Sequence, residues 1–297
     1  MRIALAGLVA TAAVAWPAGL LAEDGAVPPA ERILVRPVMD VPLRDPSVCR
    51  GPDGAYYLTG TTPKERKDGT LDWHNGTAIR LWTSKDLATW REVGVVWDLA
   101  KVGWAGRWAT GPRALAGVPD SPRHYLAVTS PEIHYLRDTF QIPYSVNGQG
   151  TGLLRSKTGE ARGPYEDWGK GSGGLTYITA DGADPSMFQD DDGSVYWLWS
   201  PAWIAKMTDD LRGLALLTCQ PRQERGSDML VGERGPFLFK ADGKYHLTAA
   251  AMMRRIGIHT HDTLVATASK LHGPYPKREM MIPHGGPTTV FRNAEGG

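Results

Sequence analysis

Asp192-Gly193-Ser194-Val195-Tyr196-Trp197 and Asp242-Gly243-Lys244-Tyr245-His246-Leu247 decide the fold, because the same pattern stands at other places in the chain. Asp53-Gly54-Ala55-Tyr56-Tyr57-Leu58 precedes them, Asp138-Thr139-Phe140-Gln141-Ile142 is a variant without the glycine, and Glu295-Gly296 starts a fifth. Asp-Gly tolerates the positive φ angles of a tight hairpin turn, and the aromatic, β-prone run behind it reads as a strand. After the first unit the pattern returns at intervals of about 50 residues, a spacing typical of architectural repeats.

Between these hairpins lies a second recurring element. Ile79 to Ser84 runs into Lys85 to Trp90, Gly152 to Ser156 runs into Gly163-Pro164-Tyr165, and Leu264 to Ser269 runs into Gly273-Pro274-Tyr275. Each unit is thus two hairpins, or four strands, and no convincing amphipathic helix interrupts them. A β-sandwich also uses short strands and many turns, but it does not normally repeat a four-stranded module. The pattern predicts an all-β protein, a five-bladed β-propeller whose fifth blade stops after its first strand. The first unit is longer than the rest. Its surplus, roughly Pro63 to Thr77 and Trp97 to Arg123, is expected to form loops over one face and to shape a pocket there.

Composition narrows the partners. With 33 Lys+Arg against 32 Asp+Glu, the chain lacks the basic face of a nucleic-acid binder. The 11 tryptophans among 297 residues suit a surface that stacks on sugar rings, and Trp73, Trp104 and Trp108 fall in or beside the long first-unit loops. Met1-Arg2 followed by the apolar run Ile3 to Trp16, with Ala18 and Ala22 before Glu23-Asp24, reads as a signal peptide over residues 1–22. About 14 apolar residues are too few to span a membrane, which predicts a secreted or periplasmic protein without a membrane partner after cleavage. Residues 23–42 then form an N-terminal segment and 43–297 the propeller domain. Cys49 and Cys219 have no metal-like spacing, and Cys49 reads as a buried thiol. Asp190-Asp191-Asp192 precedes a hairpin glycine and reads as a solvated turn.

The chemistry is expected where each inner strand starts. These places read Arg44-Asp45-Pro46-Ser47, Ser130-Pro131-Glu132-Ile133, Ala183-Asp184-Pro185-Ser186, Glu233-Arg234-Gly235-Pro236 and Pro283-His284-Gly285-Gly286-Pro287. Inner strands line the axis of a propeller, so Asp45, Asp184 and Glu233 should converge on one mouth of the channel. Proline biases the preceding residue towards extended backbone and so should fix the direction of each carboxylate. Three converging acids suit divalent metal binding or acid–base chemistry; glycosidic hydrolysis needs one carboxylic acid and one carboxylate, and a third carboxylate holds the acid's pKa high.

These motifs together resemble the family 43 glycoside hydrolases over nearly the whole chain from Leu43. The resemblance implies a five-bladed propeller and an inverting hydrolase that releases arabinofuranose, xylose or galactose-type sugars from oligosaccharides or polysaccharides. It implies Asp45 as general base, Asp184 as the acid's pKa modulator and Glu132 either near the pocket rim or structural, with no cofactor required. His284 resembles the family's central-channel residue, which implies a structural calcium. The general acid is where the chain departs: the family places Glu directly before Gly-Pro, and here Arg234 stands before Gly235 with Glu233 one position early. A one-residue offset turns a strand side chain to the other face. Either a bulge restores Glu233 to the pocket, or Arg234 occupies it. Endo-arabinanase action and a non-catalytic carbohydrate-binding propeller are the alternatives.

Overall fold

The turns at Asp53-Gly54, Asp138, Asp192-Gly193 and Asp242-Gly243 form, whereas Glu295-Gly296 runs past the described residues. Gly54, Gly193 and Gly243 take φ values of 78°, 81° and 69°, and Asp138 takes 60° in the variant that lacks a glycine. The side chains help: Asp53 Oδ1 accepts from Ala55 N at 3.2 Å, and Asp192 Oδ1 accepts from Ser194 N at 2.8 Å. The structure, a computed structural model, describes residues 38–102, 127–146, 150–170, 177–179, 182–215, 220–226, 230–255 and 258–295. The expected signal segment, most of the N-terminal segment, Trp104, Trp108 and Cys219 lie outside the described residues.

Four antiparallel sheets follow one another along the chain. The first contains β1 (Arg44–Arg50) and β2 (Tyr56–Thr61); after a small separate hairpin of β3 (Lys64–Glu65) and β4 (Leu71–Asp72), it is completed by β5 (Ala78–Ser84) and β6 (Arg91–Asp98). In the second, β7 (Val128–Thr129) and β8 (His134–Leu136) both pair with β9 (Thr139–Val146). There β10 (Gly150–Ser156) pairs with β9, β11 (Tyr165–Asp167) and β12 (Tyr177–Thr179). The third is β13 (Ser186–Gln189), β14 (Val195–Trp199) and β15 (Trp203–Lys206). The fourth runs in order through β16 (Arg234–Ala241), β17 (Lys244–Arg255), β18 (Ile258–Ala268) and β19 (Glu279–Ile282). Among the described residues the one helical element is a 3-10 turn at Leu99–Lys101, capped by Asp98.

The arrangement is that of a propeller, but with four blades and not five. Residues 283–295, which were expected to open a fifth blade, form no strand. A strand requires a partner for its backbone groups, and none of the described residues supplies a second strand to pair with this segment. It runs instead along the seam between blades 4 and 1. Thr289 Oγ1 donates to Pro46 O at 3.2 Å, Ala294 N donates to the Tyr56 hydroxyl at 2.8 Å, and Arg292 reaches Lys240 O at 3.3 Å. Phe291 meets Tyr56 edge to face, with centroids 6.0 Å apart.

The apolar core is distributed between neighbouring blades, as face-to-face packing of sheets requires. Ile79, Leu81 and Trp97 of blade 1 pack against Ile142, Tyr144 and Leu154 of blade 2. Leu153 and Ile178 of blade 2 pack against Trp197 and Ala205 of blade 3, and Leu198 and Ile204 of blade 3 meet Leu247 and Leu264 of blade 4. Trp97 therefore belongs to β6 and the core, not to a surface loop. Of the Asp190-Asp191-Asp192 turn, Asp191 and Asp192 are exposed as expected, whereas Asp190 is largely covered. Lys240 Nζ lies 2.8 Å from Asp190 and 2.6 Å from Asp191, and the Tyr245 hydroxyl donates to Asp190 at 2.6 Å, which latches blade 3 to blade 4. Cys49 is free, and burial pushes its thiol up to about 12.

Candidate active site

The residues before the inner-strand prolines set the geometry of the mouth. Extended backbone is the simple expectation there, and the structure corrects it. Asp45, Ser130, Asp184 and Gly235 each precede a proline, and their φ values are 51°, 47°, 52° and 52°. Proline excludes right-handed helical backbone from its predecessor, and these positions resolve the restriction on the left-handed side. For a residue with a side chain this costs about 1–3 kcal/mol, and such strain clusters at functional sites. The shared conformation also fixes the correspondence between blades. Asp45, Ser130, Asp184 and Gly235 are the matching positions, whereas Glu132 lies beyond its match and Glu233 before it.

A set of hydroxyls ties these positions into a row. Thr61, Ser145 and Ser200 sit at the ends of β2, β9 and β14, and each accepts the backbone N–H of the next blade's left-handed residue. The distances are 2.7 Å from Ser130 N, 2.8 Å from Asp184 N and 3.3 Å from Gly235 N. Thr61 and Ser200 pass their own protons on, to Asp45 Oδ2 at 3.0 Å and to Asp184 Oδ2 at 2.8 Å. Ala250, which pairs with Arg234 as Thr61 pairs with Arg44, has no hydroxyl to continue the row.

Ser130 joins the two aspartates. Its Oγ lies 2.7 Å from Asp184 Oδ1 and 3.4 Å from Asp45 Oδ2. The hydroxyl has one proton, and the shorter contact directs it to Asp184. Asp184 further accepts from Gly235 N at 3.3 Å and faces the Arg234 guanidinium at 3.9 Å. Its charge is thus met by several donors, while Asp45 has fewer. Burial raises the pKa of Asp45, the Asp184 charge raises it further, and the Thr61 hydroxyl opposes both. A carboxylate made more basic in this way is suited to take a proton from water.

The other expected residues divide. Trp73 is half-buried beside the small β3–β4 hairpin, and the Arg44 guanidinium lies over its ring at 4.0 Å, next to Asp45. Glu132 is buried and engages His134 Nε2 at 2.9 Å, which fits the structural alternative. Burial pushes its carboxyl up, and the His134 contact opposes the shift. Glu233 is exposed, its N–H is bonded to Ala250 O at 2.8 Å, and its side chain makes no hydrogen bond or ion pair with the described residues. A bulge does fall in β16 between Arg234 and Phe237, yet Arg234 is the side chain that stands beside Asp184. His284 also has left-handed backbone, but its side chain is 65% exposed and faces Asp262 alone, at 3.5 Å. Among the described residues no group of three or more His, Cys, Asp or Glu gathers around His284. Ser130, Thr61 and Ser200 are the participants that motif reading passed over. Ser130 carried a usable signal, since it precedes Pro131 as Asp45 precedes Pro46.

The sequence profile of the glycosyl hydrolases family 43 matches residues 34–293. The chain belongs to that family. This family 43 chain is 26% identical over 226 residues to the β-D-galactofuranosidase xynD of Aspergillus niger, covering 73% of the chain and 60% of the relative. It is 24% identical over 248 residues to the xylosidase/arabinosidase 43B of Humicola insolens, covering 78% of the chain and 39% of the relative. It thus spans between two-fifths and three-fifths of these curated relatives. Among solved structures, an endo-arabinase from Bacteroides thetaiotaomicron superposes with a TM-score of 0.60 at 19% identity, covering 88% of each chain. A β-xylosidase/α-arabinofuranosidase from a compost microbial metagenome, in complex with xylotriose, superposes with a TM-score of 0.60 at 16% identity, covering 83% of this chain and 80% of that one. At these identities the solved structures support the fold.

Proposed function

We propose that this family 43 chain is an exported, inverting glycosidase that releases terminal arabinofuranose, xylose or galactose-type sugars from oligosaccharides. One observation carries the reading: Asp45 and Asp184, from blades 1 and 3, are held in the same left-handed backbone state and share the Ser130 hydroxyl. Asp45 takes a proton from water as the oxygen attacks the anomeric carbon. Asp184, beside it, keeps Asp45 basic by charge repulsion and anchors the neighbouring backbone through Gly235 N. The names of the curated relatives favour the sugar class, and the apolar run behind Arg2 favours export. A panel of nitrophenyl glycosides tests the reading. The expected result is turnover of a furanoside or xyloside, an inverted first-formed anomer by NMR, and a fall of about 10²–10⁴-fold in Asp45→Asn. Full activity in that variant rejects the mechanism, and release of internal oligomers from arabinan redirects it to endo action.

A second reading is favoured by Arg234 at 3.9 Å from Asp184, where the resemblance would place the general acid. In that reading the mouth binds carbohydrate without cleaving it. Calorimetric binding of an oligosaccharide with no product after prolonged incubation selects it.

A further inference from the structure

Inverting hydrolysis has two sides, and the described residues of this mouth equip one of them. On the water side Asp45 is in place. On the leaving-group side the glycosidic oxygen must carry away an electron pair, and an alkoxide is too basic to leave without a proton. The groups that touch the aspartate pair are the hydroxyls of Thr61, Ser130 and Ser200, the Gly235 N–H and the Arg234 guanidinium. Glu132 is buried against His134, and the exposed Glu233 touches neither aspartate. None of the described groups at the pair, apart from the aspartates themselves, is a carboxylic acid. A guanidinium does not release its proton in a protein; it offers fixed charge and up to five donors.

Arg234 is also well placed for that role. The backbone behind it is pinned, because Gly235 has φ 52° and a Cβ there would meet Pro287 Cβ at 2.5 Å. Its side chain is 59% exposed and only loosely engaged with Asp184, so donors remain for a ligand.

We propose that Arg234 converts the leaving-group side of this site from proton donation to anion stabilisation, so that its substrates are glycosides whose aglycone departs as an anion: aryl, acyl or phosphoryl groups on the anomeric oxygen. The proposal rests on the glycosidase reading and narrows it: an oligosaccharide, whose leaving group is an alkoxide, is hydrolysed far more slowly than these glycosides. The step balances without a further reactant. Asp45 accepts one proton of water, the water oxygen bonds to the anomeric carbon, and the bond from that carbon to the aglycone oxygen breaks. The electron pair leaves on that oxygen, against Arg234, and Asp45 returns its proton to solvent. The products are the free sugar, inverted at the anomeric carbon, and a phenolate, carboxylate or phosphate.

The test is a series of aryl α-L-arabinofuranosides and β-D-xylosides, from dinitrophenyl through phenyl to methyl, with the full chain. In the native protein kcat/KM is expected to fall about tenfold for each unit by which the leaving group becomes less acidic, a loss of about 1.4 kcal/mol of transition-state stabilisation per step. Arg234→Gln should lower the dinitrophenyl rate by about 10²-fold and keep the steep slope, because it removes a charged donor and adds no acid. Arg234→Glu should flatten the slope and gain on phenyl and methyl substrates. Circular dichroism checks that both variants fold. A native rate indifferent to leaving-group acidity overturns the proposal and leaves the glycosidase reading intact, as does an Arg234→Glu variant slower on every substrate. Absence of turnover even with dinitrophenyl leaving groups overturns the glycosidase reading, and the proposal with it.

Discussion

Asp45 is held at some expense to the fold. Its carboxylate is half-buried beside Asp184, and burial and that neighbouring charge favour the protonated form. Because its folded pKa is raised above the ordinary value near 3.9, the group supports folding below about pH 4 and loses that support as pH rises through the raised value. Asp45→Asn should therefore raise the stability at pH 7 by about 1 kcal/mol while removing activity, with the gain vanishing below about pH 4. Urea unfolding of both proteins at the two pH values measures this. The same sign places the acidic limb of kcat/KM above the ordinary carboxylate range, since the base works only when ionised; a limb at or below pH 4 contradicts Asp45 as base. At this scale the aspartates were legible because Asp-Pro is a local pattern that recurs in two repeats. Thr61 and Ser200 were not, because each acts across a blade boundary, where hydroxyl partners leave no trace in local spacing. The Glu233–Arg234 ambiguity had the same origin. Motif matching located the region, but only the left-handed Gly235 fixes which residue corresponds to Asp45 and Asp184.

Among the elements, β8 shows how a residue that resembles a site residue can serve the scaffold. Glu132 lies just before it, after Pro131, donates its N–H to Pro143 O at 3.0 Å and holds His134, while Ile133 N donates to Ser47 Oγ at 3.1 Å and so joins the approach to β8 to β1. Glu132→Ala leaves the His134 ring unpaired in a buried place and should cost about 1–3 kcal/mol. A fall in the urea midpoint with KM preserved is the expected outcome; a raised KM at unchanged stability returns Glu132 to the sugar site. The hairpins themselves were readable from the chain because Asp-Gly turns and aromatic alternation are properties of a few adjacent residues. The number of blades was not. A fifth turn signal at Glu295-Gly296 suggests a blade, but a blade exists only when its strands find partners, and among the described residues those partners are missing for the segment 283–295. Gly-Pro-Tyr illustrates a readable repeat with a consistent job: Tyr165 and Tyr275 each donate a hydroxyl to a carbonyl just upstream, Ala161 O at 2.8 Å and Leu271 O at 2.9 Å.

Over the whole molecule the seams differ. Three are filled by buried apolar clusters, whereas the one between blades 4 and 1 is bridged by Phe291, Thr289 and Ala294 alongside a channel of about 250 Å³. Thr289 binds the carbonyl of Pro46, the residue next to Asp45. A sugar bound between Asp45 and Arg234 would thus span the same seam, and any free energy by which it tightens the seam must return as affinity when the seam is tightened first. Amide hydrogen exchange at 289–294 is therefore expected to slow when ligand binds, and Phe291→Ala to loosen those amides and to weaken binding. The segment that fills the place of a blade would then act as a tension member, carrying the load of an occupied mouth across the seam that closes the ring.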